Sequence, residues 1–582
     1  MPWPAVPGRP RARSAPVSLL GERIRLSSVT ENSSGVAPQE PAVIGEIRAG
    51  YAFEGGALEF GAGVFDQVAY KDAQVKIPLA VMNRHGLVAG ATGTGKTKTL
   101  QLMAEQLVEQ GVSVFLADVK GDLSGMATPG SPNEKITARA SDIGMTWEPT
   151  AYPVEFYSLG GLGKGVPIRA SVSMFGPILL SKVLGLNETQ ESSLGLVFHY
   201  ADTKGLWLDT IEDLRAVIQF LTSDAGKADL KDLGGLSAAT AGVILRELVN
   251  FSAQGADVFF GLPEFDTSDL LRVAPDGRGI VSMLELPAVQ DKPQLFSTFL
   301  MWLLADLFHD LPEAGDLDKP KLVFFFDEAH LLFNDASKDF LDAIQQTVRL
   351  IRSKGVGIFF VTQSPKDVPT DVLAQLGNRV QHALRAFTPD DQKALRAAVK
   401  TYPHTAYDLE ELLTSLGIGE AVITVLSERG APTPVAWTRM RAPESLMAPS
   451  ADSIIDGVVA ASPLAAKYVT AIERDSASEM LGKKVAEMDA AATAAAQEAE
   501  NAKVREAAAA QAERDRLAAE KQAAKDAAAA EKAAAAAAKR EAEEPGVVEQ
   551  VVKSSVFKSM LRSAGTVIGR EITRSIFGTS RR

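Results

Sequence analysis

Apolar residues recur along this chain in two different rhythms, and the changes from one to the other divide it into regions. Short continuous apolar runs at Gly86–Ala89, 112–117, Leu322–Phe326 and 358–361 read as buried strands. Helical patterns separate them; beyond Thr97, for example, Leu100, Met103 and Leu107 share one face. Continued over residues 46–445, this alternation predicts an α/β core built on a mostly parallel sheet. From about 165 to 315 the pattern turns largely helical, as at 178–186 and 296–308, and a helical insertion is expected there. Residues 1–45 are rich in Pro, Ser and Arg without a sustained period and predict a disordered leader, and 446–489 reads as a linker.

From 490 to 545 Ala, Glu, Lys, Arg and Gln dominate, the strongest helix formers. Large apolar residues are too sparse for a heptad seam, so a solvated single helix is expected over a coiled coil, with a reach on the order of 80 Å. Pro545 and Gly546 end it. Beyond them Phe557, Leu561, Ala564, Ile568, Ile572 and Ile576 recur at helical spacing, with Lys558, Arg562, Arg570 and Arg574 interleaved. Residues 550–582 therefore predict a basic amphipathic helix, fit for a membrane surface, DNA, a neighbouring subunit or the protein's own core.

Composition narrows the class. At 582 residues with 46% hydrophobic content, the chain can bury a large core and carry appendages. No apolar stretch approaches the roughly 18 residues that span a bilayer, and the N-terminus lacks a secretory h-region, so a cytoplasmic location is expected. With no cysteine, disulfides, thiolate metal sites and thiol catalysis are excluded, and any metal must sit on oxygen or imidazole. The net charge of -13 argues against coating nucleic acid over the whole surface while leaving room for a locally basic channel.

Chemistry concentrates at two motifs. HGLVAGATGTGKT satisfies GxxxxGKT across Gly90, Ala91, Thr92, Gly93, Thr94, Gly95, Lys96 and Thr97, between an apolar run and a helix. In such a loop backbone N–H groups wrap phosphates, Lys96 neutralises β and γ oxygens, and the Thr97 hydroxyl ligates Mg²⁺. In KLVFFFDEAH, Asp327 leaves the end of a buried strand, where it can hold Mg²⁺ through water. By strand alternation Glu328 should point to the other side and polarise the attacking water. His330 reads as a packing residue outside the site. IFFVTQS repeats the design, ending in Thr362 and Gln363, and an amide there can report on the γ-phosphate. VFLADVKGD ends in Asp118, Lys120 and Asp122, which could touch Mg²⁺ waters, a neighbouring subunit or a polymer, or form a plain turn. ATP and Mg²⁺ are the expected ligands.

The blocks PLAVMNRHGLVAGATGTGKTKTLQ, PKLVFFFDEAHLLF, RLIRSKGVGIFFVTQSPKDVP and LGNRVQHALRAFTPDDQKA together resemble the HerA/FtsK superfamily of ring-forming ATPases that pump DNA, most of all its bacterial HerA-like helicase branch. The resemblance runs from about 50 to 440 and takes in the basic terminus. It implies a RecA-like P-loop core, a homo-hexamer around DNA in a central channel, Lys96 and Thr97 as the Walker A pair, Asp327 and Glu328 as the Walker B pair, and Gln363 as sensor. It also places Arg352 at the trans-acting arginine finger, with Arg379 and Arg385 as further candidates. About 45 residues stand where archaeal relatives carry an N-terminal β-barrel for partner docking, so no dedicated nuclease partner is expected. DEAH alone suggests the DEAH-box helicases, but about 230 residues separate the motifs and no QRxGRxGR segment follows. The implied activity is ATP-driven DNA translocation or unwinding. Its rivals are an ATP-dependent assembly or defence scaffold that leaves DNA unmoved, and an ATPase held peripherally at a membrane by the terminal helix.

Overall fold

The computed structural model describes residues 40–541 apart from Asp316 and residues 334–337. Most of the leader and the whole basic amphipathic segment 550–582 lie outside the described residues.

Among the described residues twelve strands form one sheet: β1 (Ala57–Phe65), β2 (Val68–Pro78), β3 (Gly86–Ala89), β4 (Ser113–Asp118), β5 (Val154–Leu159), β6 (Val166–Ile168), β7 (Val281–Glu285), β8 (Leu322–Phe326), β9 (Val356–Thr362), β10 (Asn378–Gln381), β11 (Glu420–Thr424) and β12 (Ala436–Met440). Their order is β2-β1-β12-β11-β10-β3-β9-β8-β4-β7-β5-β6. From β10 to β6 every pairing is parallel, and an antiparallel wing of β11, β12, β1 and β2 completes the sheet. Parallel strands need covered faces, and the sequence supplies the cover by alternation. In β8, Leu322, Phe324 and Phe326 face one core and Val323 and Phe325 the other; β4 and β9 divide their residues in the same way. Phe115, Phe324, Phe326 and Phe360 form a run of tilted ring contacts at 5.0 to 5.7 Å on the first face. The helix Lys96–Glu109 covers the second face with Leu100, Met103 and Leu107. Each fully buried Phe or Leu contributes about 1.5–3 kcal/mol, so these strands anchor the ends on which the site is built.

The structure departs from the sequence reading at several points. The expected insertion at 165–315 contains β6 and β7, and β7 lies inside the parallel sheet between β4 and β5; the helices fall mainly between Val172 and Ala253. Helix Pro293–Asp310 follows β7 and carries the fully buried Phe299 and Trp302. The stretch read as a linker is instead folded. Its helix Asp452–Ala461 buries Ile455, and Tyr468 is held by its hydroxyl, which donates to Asp269 at 2.6 Å. Arg474 then forks onto Asp209 at 2.7 and 2.6 Å. Last, the helix Ala42–Gly50 begins inside the expected leader and buries Val43, Ile44 and Ile47.

The long helix runs from Ala477 to Glu541, starting earlier than expected. Its residues 486–539 form a separate unit and are all exposed, supported by local pairs such as Gln511–Asp515 and Gln522–Asp526, both at 2.9 Å. Among the described residues no helix is long and apolar enough to cross a membrane.

Candidate nucleotide site

β3 ends at Ala89, residues 90–95 turn, and the helix Lys96–Glu109 begins at once, so its first free N–H groups face into the loop. The loop is held from three sides. Gly90 donates to the Thr362 carbonyl at 3.2 Å, Ala91 to that of Ala383 at 2.8 Å, and Gly419 donates to that of Thr94 at 3.0 Å. The Thr94 hydroxyl closes the turn on the Ala91 carbonyl at 2.7 Å. Gly93 and Gly95 occupy positive φ, at 78° and 117°, where a side chain is strained. A Cβ at Gly90 would stand 2.5 Å from the Cβ of His382.

His382 is the floor of this loop, and its role was not visible in the sequence. It is fully buried, and burial lowers its pKa to about 4, so the ring is neutral. Nδ1–H donates to the Glu420 carbonyl at 2.8 Å, which leaves Nε2 to accept from the Thr99 hydroxyl at 2.8 Å. His85, before β3, is neutral for the same reason: Nε2–H donates to Val348 O at 2.7 Å, and Nδ1 accepts from Ile358 N–H at 3.0 Å.

Strand order carries the acidic residues to the loop. β9 separates β3 from β8, and the parallel register aligns Ala117 of β4 with Phe326 of β8, so Asp118 and Asp327 leave neighbouring strand ends. Asp327 is 2% exposed; its Oδ1 accepts from the Glu328 N–H at 2.9 Å, while Oδ2 has no hydrogen-bond partner among the described residues. Burial, reinforced by the Glu328 charge, pushes its pKa up to about 7. Glu328 does not continue the strand. It lies in the following turn with φ at 48°, so strand alternation does not set its direction as the sequence reading assumed. One of its oxygens is ion-paired to the Lys120 ammonium, and the other faces His330 Nδ1 at 3.3 Å without hydrogen-bond geometry. Burial alone would raise this carboxyl, but the hydrogen bond and charge of Lys120, aided by His330 and Lys96, hold it below its ordinary value. His330, read as lying outside the site, therefore borders it.

Lys96 is buried, with its ammonium donating to the Ala91 carbonyl at 3.2 Å. Burial lowers its pKa against the pull of Glu328 and Asp327. Thr97 is half-buried in the first turn. Gln363 follows β9 and is exposed; Asp367 fixes its loop by accepting from the Thr362 hydroxyl at 2.8 Å and the Ser364 N–H at 2.9 Å. A cleft of about 450 Å³ opens here, lined in part by Thr92, His330, Gln363, Arg385 and Phe387. Arg385 Nη2 stands 3.5 Å from the Thr92 carbonyl. Arg379 faces elsewhere, donating to the Thr401 hydroxyl at 2.6 Å. Arg352 is exposed and precedes β9, at the edge of the sheet opposite the loop. At ~3.3 Å per residue, the seven residues of β9 put it roughly 20 Å from Gln363 of its own chain.

Asp327 yields a stability prediction. A carboxyl whose folded pKa is raised contributes stability that is complete below the unfolded value, about 3.9, and lost as pH rises through about 7. Asp327→Asn removes the buried charge, so the nucleotide-free variant should melt higher than the parent at pH 8, with a smaller gain at pH 5. A tenfold change in proton affinity is worth about 1.4 kcal/mol, giving a gain of up to a few kcal/mol. Thermal denaturation at the two pH values measures it; equal or lower melting at pH 8 would contradict it.

A phosphate loop between β3 and its helix, with an acid leaving β8 across one intervening strand, defines a P-loop ATPase of RecA-like fold. More particularly, the chain belongs to the family described as helicase HerA-like C-terminal, whose match covers residues 66–582. It is 23% identical over 363 residues to the DNA double-strand break repair helicase HerA of Sulfolobus acidocaldarius, covering 60% of this chain and 64% of that protein. To the helicase of the same name from Sulfurisphaera tokodaii it is 24% identical over 360 residues, with 60% and 64% covered. The chain thus spans 64% of the length of these curated relatives. Among solved structures, the bacterial conjugative coupling protein TrwBdeltaN70 aligns at 15% identity with a TM-score of 0.44, covering 69% of this chain and 94% of that one.

Proposed function

We propose that this chain hydrolyses ATP with Mg²⁺ and couples hydrolysis to movement along DNA, as a ring of identical subunits in the cytoplasm. The observation that carries the proposal is the meeting of Lys96, Asp327 and Glu328 at one edge of the sheet against the phosphate loop. The donor set fits the metal. Asp327 Oδ2 is a buried oxygen without a hydrogen-bond partner among the described residues, and the half-buried Thr97 lies in the first turn of the helix beside the loop. A hydrated Mg²⁺ would be held by these two side chains, and bound there it would neutralise charge on the transferring phosphate. Lys96 and the loop N–H groups orient the β and γ phosphates, Glu328 takes the proton of the attacking water, and Gln363 senses the γ-phosphate. Arg352 enters the proposal through its distance: only a second copy can bring such a residue to the loop, which supports catalysis at subunit interfaces. The HerA relatives are DNA repair helicases by name, and DNA is proposed here on that likeness.

The net charge of -13 requires that cations meeting DNA be concentrated; of the candidates Lys120 and the group Arg349, Arg352 and Lys354, the first three are exposed or half-exposed, whereas Lys354 is paired with Glu313 at 3.2 Å and 12% exposed. ATPase activity should therefore rise with double-stranded DNA of any sequence, because backbone contacts position a duplex without reading it. The stimulation should fall steeply between roughly 50 and 200 mM salt as phosphate contacts are lost. Steady-state rates measured with and without DNA decide this. A rate unaffected by DNA at the lowest salt, from assembled protein, leaves an ATPase that is a scaffold and not a motor.

A further inference from the structure

Lys120 stands on a rigid support. It follows β4, and the turn after it is tied down by the Asp118 carboxylate, which accepts from the N–H groups of Gly121, Asp122 and Leu123 at 2.7, 3.3 and 2.8 Å. Gly121 takes φ of 74°, where a Cβ would stand 3.1 Å from Pro287. The turn thus fixes where the lysine stem starts, and the register of β4 with β8 sets that start beside the turn carrying Glu328. The two ends of the ion pair are unequal: the Lys120 side chain is 50% exposed, whereas that of Glu328 is 7% exposed. One cation therefore touches the buried carboxylate and the solvent together.

The carboxylate is meanwhile held at one oxygen. A base that takes a proton from water needs a free oxygen within hydrogen-bond reach of it. Here one Glu328 oxygen is bound by Lys120, the other is turned to the His330 ring with no hydrogen-bond partner among the described residues, and the backbone takes a left-handed conformation that a glutamate rarely adopts. This arrangement tethers the base to Lys120.

We propose that Lys120 is a positioning residue that latches Glu328 away from the attacking water, and that a phosphate polyanion releases the latch by drawing the exposed ammonium to itself. The proposal rests on the ATPase reading above and specifies how polymer binding is converted into hydrolysis. No bond is made or broken in the step; the Lys120 cation exchanges one anionic partner for another, and the Glu328 carboxylate becomes free to accept a proton. DNA is the polyanion chosen because the half-exposed ammonium is a point charge suited to backbone phosphate in any sequence.

The test compares the full-length parent, Lys120→Ala and Lys120→Arg in steady-state ATPase assays, with and without duplex DNA, each checked by thermal melting. Lys120→Ala should hydrolyse ATP without DNA at the DNA-stimulated rate of the parent, with KM for ATP unchanged and no further response to DNA. Lys120→Arg should restore a low basal rate and the response to DNA. A basal kcat of Lys120→Ala at or below that of the parent overturns the latch; beside a parent that DNA stimulates, it leaves the motor reading intact. A raised basal rate beside a parent that ignores DNA overturns release by a polyanion, and the motor reading with it.

Discussion

Glu328→Gln is expected to bind ATP as tightly as the parent and to lose hydrolysis by about 10²–10⁴-fold, the range over which a positioned acid or base contributes. The amide keeps the size of the side chain and can still face Lys120, but it has no charge with which to take a proton. Lys96→Ala should fail one step earlier. It removes the buried cation that lies beside Ala91 of the loop, so nucleotide affinity falls and turnover falls with it. Equilibrium binding of a fluorescent ATP analogue together with phosphate release separates the two variants. Ordinary turnover by Glu328→Gln would remove Glu328 from the role of base. His330 would then be the next candidate, since it faces the other oxygen of Glu328 and lines the cleft beside the loop.

The parts of this site that were legible in the sequence are those fixed by local rules. GxxxxGKT needs only its own backbone and the helix behind it, and the five apolar residues before Asp327 announce a strand buried on both faces. β3, β4, β8 and β9 all fall where continuous apolar runs predict them, within a residue or two at their ends. What escaped depends on long-range register. β7 is five residues long and follows an irregular stretch, so nothing near it in sequence says that it joins the parallel sheet between β4 and β5. Lys120 and Glu328 are 208 positions apart, and their pairing exists only because β4 and β8 are neighbours. Strand alternation could not set the side taken by Glu328, because it holds only while the strand lasts and the chain turns at Asp327. The segment read as a linker misled for a related reason. Tyr468 and Arg474 are anchored by Asp269 and Asp209, acids far from them in sequence that no periodicity connects to them.

Arg352→Ala should retain ATP binding and lose about 10³–10⁵ in hydrolysis rate, the worth of an arginine that meets transition-state charge on a phosphoryl group. The expectation rests on geometry as well as on likeness. Arg352 is exposed, has no resolved carboxylate partner among the described residues, and sits at the sheet edge opposite its own phosphate loop, so its charge is available to another subunit and not to its own. Arg385 offers the contrast: its guanidinium is 3.5 Å from Thr92 O within one chain, and Arg385→Ala should act on each subunit separately. Mixing distinguishes the two cases. Inactive Arg352→Ala subunits combined with inactive Lys96→Ala subunits should regain part of the activity, because some interfaces then join an intact loop to an intact arginine. Two variants that fail within the same subunit cannot rescue one another. Phosphate release across a titration of the two proteins, at constant total concentration, should pass through a maximum near equal proportions. A flat line at the level of the separate variants, with mixed assembly confirmed, would return the site to a single chain.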